Sequence, residues 1–274
     1  VSSTTVDPAH WSALSVVLTD TELDVLERAI EREEGTAAED PDELDGPALE
    51  EAVRSLTLRG VLGPDGCLGD DLLGVWLDAV LSTRLAAGLV LRVHRTVAGP
   101  VGDGLGADLT DDPHARHGER LVHLAAGAAC VEDAMPGGVQ LALAEPDQVV
   151  SAVVAVCVPE NAAAGTGPSF THAPAGLTRP TVDLADALGR PTSLVRLEAG
   201  VPEHAAAATG GDRPPLPPPS CHLVALGPRG CWAADLPPDG TRAEVEFRPV
   251  GPGWVEDWVR ARAAPFAGQG TMAG

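Results

Sequence analysis

One pattern in this chain is written twice, and it constrains the fold more than any other feature. Residues 120–159 read as a short strand (121–125), a glycine turn, a second strand, a Gly137-Gly138 turn, a third strand (139–143) and a helix opening at Glu145-Pro146. Residues 221–264 repeat it, with His123-Leu124 answered by His222-Leu223, Gly127 by Gly227 and Cys130 by Cys231. Past the hairpin, Val139, Leu141, Pro146, Val149 and Val153 recur as Val245, Phe247, Pro252, Val255 and Val259. An earlier strand is echoed too: Leu91-Arg92-Val93 resembles Val195-Arg196-Leu197, and long loops follow both, at 99–119 and 200–220. Each half thus reads strand, long loop, strand, hairpin, strand, helix. The spacing is far longer than the ~20–50 residues of a solenoid repeat. A three-stranded unit alone buries too little apolar surface to stand by itself. The expected fold is therefore α+β: one antiparallel sheet shared by two pseudo-symmetric halves, preceded by an N-terminal helical bundle.

The bundle is read from helix signals. Thr19 and Glu22 form a capping box, with Leu18 and Leu23 placed to staple over it, and Leu23, Leu26 and Ile30 share one face of the helix that follows. The acidic run 39–45 reads as a solvated loop. Pro47 opens a second helix, with Leu49, Val53 and Leu56 expected inward and Gly60 as its stop. A third starts near Asp70 and carries Leu72, Leu73, Trp76, Leu77 and Val80 around more than half its circumference. The expected organisation is an N-terminal extension (1–17), a first half (18–160), a flexible Ala/Gly/Pro linker (161–180), a second half (181–264) with a short helix at 182–188, and a flexible tail (265–274), all in one structural domain.

Composition narrows the functional classes. The net charge is -22, and all 18 basic residues are arginines. Without lysine, a Walker A loop, a Schiff-base enzyme and a Ser-x-x-Lys acyl-enzyme are excluded. The acidic balance disfavours nucleic acid, whose binding depends on cations displacing counterions from phosphates. Aromatic content is 3% with no Tyr, so the core must be Leu, Val and Ala. Five cysteines without C-x-x-C spacing fit free thiols in a reducing compartment. Residues 1–10 lack the regions of a signal peptide, and no window reaches ~18 apolar residues, so a cytoplasmic protein without a membrane span is expected.

No motif carries catalysis. His114, His117 and His123 with Asp111 and Asp112 form the densest ligand cluster, but a solvated loop without an H-E-x-x-H scaffold is expected to bind no metal. Gly102-Asp103-Gly104-Leu105-Gly106 has the wrong spacing for a dinucleotide loop. There is no G-x-S-x-G elbow. Cys130 and Cys231, at equivalent hairpin positions, are read as core residues. The second helix and the turn after it, 60–68, resemble a winged-helix end, yet Glu50 and Glu51 beside Arg54 and Arg59 do not make a basic face. No catalytic, cofactor or metal residue is assigned, and a noncatalytic protein without cofactor is expected.

Leu18-Thr19-Asp20-Thr21-Glu22-Leu23-Asp24-Val25-Leu26, the helix closing in Leu58-Arg59-Gly60-Val61-Leu62, the Asp65-Gly66 turn and the leucine-rich third helix resemble the N-terminal half of the EspG family, cytosolic chaperones of ESX (type VII) secretion in actinobacteria. The resemblance covers about residues 18–93. It implies a central antiparallel sheet with quasi-two-fold halves and helical bundles, and a function in keeping helical PE/PPE-type secretion substrates soluble until export. Two other readings stay open: an enzyme or small-ligand protein using the two long loops, and an acidic winged-helix regulatory protein. The run Pro214-Pro215-Leu216-Pro217-Pro218-Pro219 is either a preorganised docking segment or a stiff spacer.

Overall fold

A computed structural model describes residues 14–33, 35, 46–99, 104–105, 115–172, 182–202, 218–237 and 244–267. The elements in chain order are β1 (Ser15–Leu18), α1 (Asp20–Glu33), α2 (Pro47–Leu58), α3 (Leu72–Leu85), β2 (Leu89–Val97), β3 (Arg116–Ala125), β4 (Ala128–Met135), β5 (Gly138–Ala144) and α4 (Gln148–Cys157). They continue with β6 (Phe170–His172), α5 (Val182–Ala187), β7 (Ser193–Gly200), β8 (Ser220–Gly227), β9 (Gly230–Leu236), β10 (Val245–Val250) and α6 (Trp254–Ala267). All strands join one ten-stranded antiparallel sheet in the order β1-β5-β4-β3-β2-β7-β8-β9-β10-β6. Strands β2 and β7 meet at its centre, with Val93 opposite Leu197 and Arg92 opposite Glu198.

Period-two alternation sends successive side chains to opposite faces, and each face is covered differently. On one face Leu89, Leu91, Val93, Val122, Val195, Leu197 and Val224 form a continuous core under α4 and α6, with Val149, Val153, Val255 and Val259 descending from those helices. On the other, α1, α2 and α3 cover one wing, over Cys130, Val139 and Leu141. The opposite wing carries Leu184 and Leu188 from the α5 region over Ala225, Trp232, Ala234 and Phe247. As the composition required, aliphatic side chains dominate, with Trp76 and Phe247 the largest fully buried residues.

The first helix begins with the reciprocal bonds of a capping box: the Glu22 amide donates to Thr19 Oγ1 at 3.1 Å, and the Thr19 amide to Glu22 Oε2 at 3.0 Å. Leu18 and Leu23 are both buried. Glu22 also accepts from Ser55 Oγ (2.7 Å) and Arg59 Nη1 (3.1 Å), tying α1 to α2. In α2 the inward row is Ala52 and Leu56, not Val53, which is 39% exposed. Leu72 likewise faces outward from the first turn of α3, whose buried side is Trp76, Leu77, Val80 and Leu81. A helix with apolar residues on several sides leaves its facing residues undecided by periodicity alone.

Hairpin register corrects the first part of the repeat. Strands β3 and β4 close at Ala125 opposite Ala128, and β8 and β9 at Gly227 opposite Gly230. Counted back from the turns, His222 stands where Arg120 stands: Arg120 is opposite Asp133, and His222 opposite Asp235. His123 and Cys130 face α3, whereas His222 and Cys231 lie on the α4 and α6 face. An odd slip in register changes the sheet face, so Cys130 and Cys231 do not face each other. Beyond the hairpins, Val139 and Leu141, like Val245 and Phe247, are buried on the face opposite α4 and α6.

Other boundaries also move. Residues 15–17, expected as extension, belong with Leu18 to a strand paired to β5. The expected linker is pinned in its described part: Ala163 N–H donates to Gly227 O, Gly165 N–H to Val250 O, and Phe170–His172 pairs with β10. A Cβ on Gly165 would meet the Cys231 carbonyl oxygen at 2.0 Å, so the close backbone approach itself selects glycine. The expected tail starts inside α6, which runs to Ala267 with Phe266 buried. Within the 99–119 segment, β3 begins already at Arg116, and Leu105 is fully buried against the core beneath α5.

Candidate partner-binding groove

Between the α1–α3 cover and the α5 cover, no helix among the described residues lies over the central strands. The resulting groove, about 640 Å³, is floored by Arg92, Leu121, His123, Arg196 and Glu198, with Cys221 at its side. Its walls include Val201, Pro202 and Pro219, the described ends of the second long loop. The sheet alternation that buries Leu91, Val93, Val195 and Leu197 beneath the helices presents Arg92 and Arg196 on this face, 50% and 55% exposed.

The charges in and under the groove form two layers. In the buried one, Arg84 of α3 reaches Glu132 of β4 through Nε at 2.9 Å and also pairs with Glu27 of α1, while His123 Nε2 lies 3.2 Å from Glu132. Burial pushes the Glu27 carboxyl up, more than Arg84 lowers it. Burial would also raise Glu132, but the bonds from His123 and Arg84 together hold it below its ordinary value. Beside them burial drives the Cys130 thiol up to about 12, leaving it an apolar filler. The outer layer is more exposed: Arg196 pairs with Glu198 at 2.5 Å, whereas Arg92 stands 3.6 Å from Glu119, beyond hydrogen-bond distance. Cys221 is raised by burial despite Arg196, so it is not held as a reactive thiolate.

The opposite face carries a second groove of about 660 Å³ between α4 and α6, with Val150, Val154, Ala263 and Ala264 among its lining. On the same face, His222 Nδ1 lies 2.8 Å from Asp235, its ring edge-on to Trp254 and Trp258. Burial lowers its pKa more than Asp235 raises it. This arrangement holds α6 on the sheet.

The expected ligand cluster is not assembled in its described part. His117 Nδ1 is 3.1 Å from Thr96 Oγ1, whereas His123 sits six residues on along β3, about 20 Å away at the rise of a strand. His114, Asp111 and Asp112 lie outside the described residues, as do Pro214, Pro215 and Pro217, while Pro218 and Pro219 are exposed. Among the described residues no group of three or more His, Cys, Asp and Glu could hold a metal ion. The turn after α2 closes through a Leu62–Leu68 bridge, and on the helix Arg54 pairs with Glu51. The sequence signal for the groove is a charged residue that recurs at the centre of two apolar strands, in Leu91-Arg92-Val93 and Val195-Arg196-Leu197.

No family model matches the chain, and no curated protein does. A solved structure does. It is the Mycobacterium tuberculosis type VII secretion system chaperone EspG5 in complex with PE25-PPE41 dimer, similar to this chain with a TM-score of 0.49 and 10% identity over 92% of this chain and 97% of that one. Among the described residues no helix is long and apolar enough to cross a membrane.

Proposed function

We propose that this chain is a noncatalytic holding protein of type VII secretion, which binds helical PE/PPE-type substrates in the cytoplasm through the central groove. The single observation that carries the reading is the groove at the centre of the sheet, over which no helix lies among the described residues. Helices shield both wings of that face, while the middle leaves Val90, Leu121, Pro202 and Pro237 beside polar groups. A partner helix laid there meets apolar area and orienting charges together, as in helix-in-groove recognition. The net charge of -22 keeps such a complex soluble. The residue resemblance over 18–93 supports the same class of function.

The reading includes the architecture: two related halves share the sheet across the β2–β7 seam, the N-terminal helices and α5 serving as unequal covers of the two wings. Co-expression with the secretion substrates encoded nearest the gene, followed by size-exclusion chromatography, tests the function. A stable complex is expected. Failure to bind any of them, alongside turnover of a small substrate or salt-sensitive DNA binding, would overturn it.

A further inference from the structure

Resting on that reading and refining it, we propose that Arg92 and Arg196 form a two-guanidinium clamp for a carboxylate carried on the apolar stripe of the partner's helix. The two arginines stand on adjacent central strands, since Arg92 is opposite Glu198 and Arg196 opposite His94. They are therefore diagonal neighbours on one face, with side chains rooted about 7 Å apart, a gap that both long arms span. Each is at least half exposed and lines the same groove.

Their present contacts lie at the groove surface, where a partner carboxylate can share them. Arg92 is near Glu119 at 3.6 Å without a hydrogen bond, and Arg196, which pairs with Glu198 at 2.5 Å and also bonds Cys221, remains 55% exposed with further N–H donors to offer. A guanidinium offers five donors in a fixed fork, matched to a carboxylate's two oxygens. By contrast Arg84, the third arginine at the groove, is committed to Glu27 and Glu132. The apolar parts of the groove, Val90, Leu121 and Pro202, require that the carboxylate be flanked by apolar residues one helical turn away. The preferred partner segment is thus an amphipathic helix with one Asp or Glu within its apolar stripe. On a chain with 40 acidic residues this clamp is a local attraction, effective within the ~8 Å over which charge is felt at physiological salt.

The test needs no known partner. A capped amphipathic peptide with one Glu in its apolar stripe, and its Glu→Gln twin, are titrated into the full chain while the arginine Nε–H signals are followed by NMR. Saturable shifts at Arg92 and Arg196 with the Glu peptide, about 10–100-fold weaker with the Gln peptide or with the Arg92→Gln/Arg196→Gln variant, are expected from the worth of charge-assisted hydrogen bonds. Equal responses to both peptides, shifts spread over all arginines, or no shift at millimolar peptide would overturn the clamp. Complexes with co-expressed substrates separate the two claims. Undiminished binding by the double variant, with its thermal transition unchanged, refutes the clamp and leaves the holding function standing. Peptide shifts without any substrate complex do the reverse.

Discussion

Replacing Arg84 by Leu removes the cation that pairs with both the buried Glu132 and the largely buried Glu27. Side-chain exposures are 22% for Arg84, 19% for Glu27 and 10% for Glu132, so both acids stay largely out of water when the guanidinium is gone, and Glu132 keeps only His123 as a partner among the described residues. Breaking a buried ion pair by deleting one partner costs about 3–5 kcal/mol. At about 2–4 °C per kcal/mol for a chain of this size, the midpoint should fall by roughly 6–20 °C. The pH dependence identifies the cause. Without Arg84 the folded pKa values of Glu27 and Glu132 rise, and an acid whose folded pKa is raised favours the folded state below its unfolded value and loses that contribution as pH rises. The deficit of the variant should therefore shrink from pH 8 to pH 5. Glu27→Leu/Arg84→Leu/Glu132→Gln, which removes the charges together, should recover to within about 1 kcal/mol of the parent, because a buried ion network is worth little against an uncharged replacement. Urea and thermal unfolding monitored by circular dichroism give these numbers. A single variant costing under about 1 kcal/mol, or a deficit that grows on acidification, would refute the reasoning.

Leu56→Ala should cost about 2–5 kcal/mol, whereas Val53→Ala, one turn away on the exposed side, should lie within about 0.5 kcal/mol of the parent in urea unfolding. Burial pulls Glu22 upward but its bonds from Thr19, Ser55 and Arg59 leave it lowered, so its stabilisation is present above the unfolded glutamate pKa and lost as pH falls through the folded one. Glu22→Gln should consequently flatten the acid side of the stability curve. Cys130 and Cys157, both pushed up to about 12 by burial, should react with a thiol reagent at pH 8 only as fast as the chain opens, in contrast to the partly exposed Cys67.

How far the sequence could be read depended on how each feature is encoded. The capping box of Thr19 and Glu22 is local chemistry, and it appears in the structure as reciprocal hydrogen bonds. The strand-turn-strand-helix pattern is similarly local, since glycine turns and period-two alternation are set within a few residues. Register was harder. Matching His123 with His222 by letter misplaced the hairpin, because the turns and not the residue identities determine which strand positions correspond. Strand Phe170–His172 leaves no sequence period in a stretch rich in Ala, Gly and Pro, because its three residues are held by the distant β10 and by the contacts of Phe170 with Trp232 and Phe247. The outward turn of Val53 depends on which neighbours α2 meets. The groove depends on the same long-range information: Arg92 and Arg196 could be noticed singly, but only the β2–β7 pairing makes them neighbours.

The central claim is that the groove at the middle of the sheet holds the partner, and hydrogen–deuterium exchange on the free chain and on its complex with a co-expressed secretion substrate tests it most directly. Slower exchange on binding is expected in Leu89–Val97, Ser193–Gly200 and Ser220–Gly227, together with residues 201–202, while peptides from α4 and α6 remain unchanged. Protection confined to Gln148–Cys157 and Trp254–Ala267 would place the partner on the other face and contradict the account.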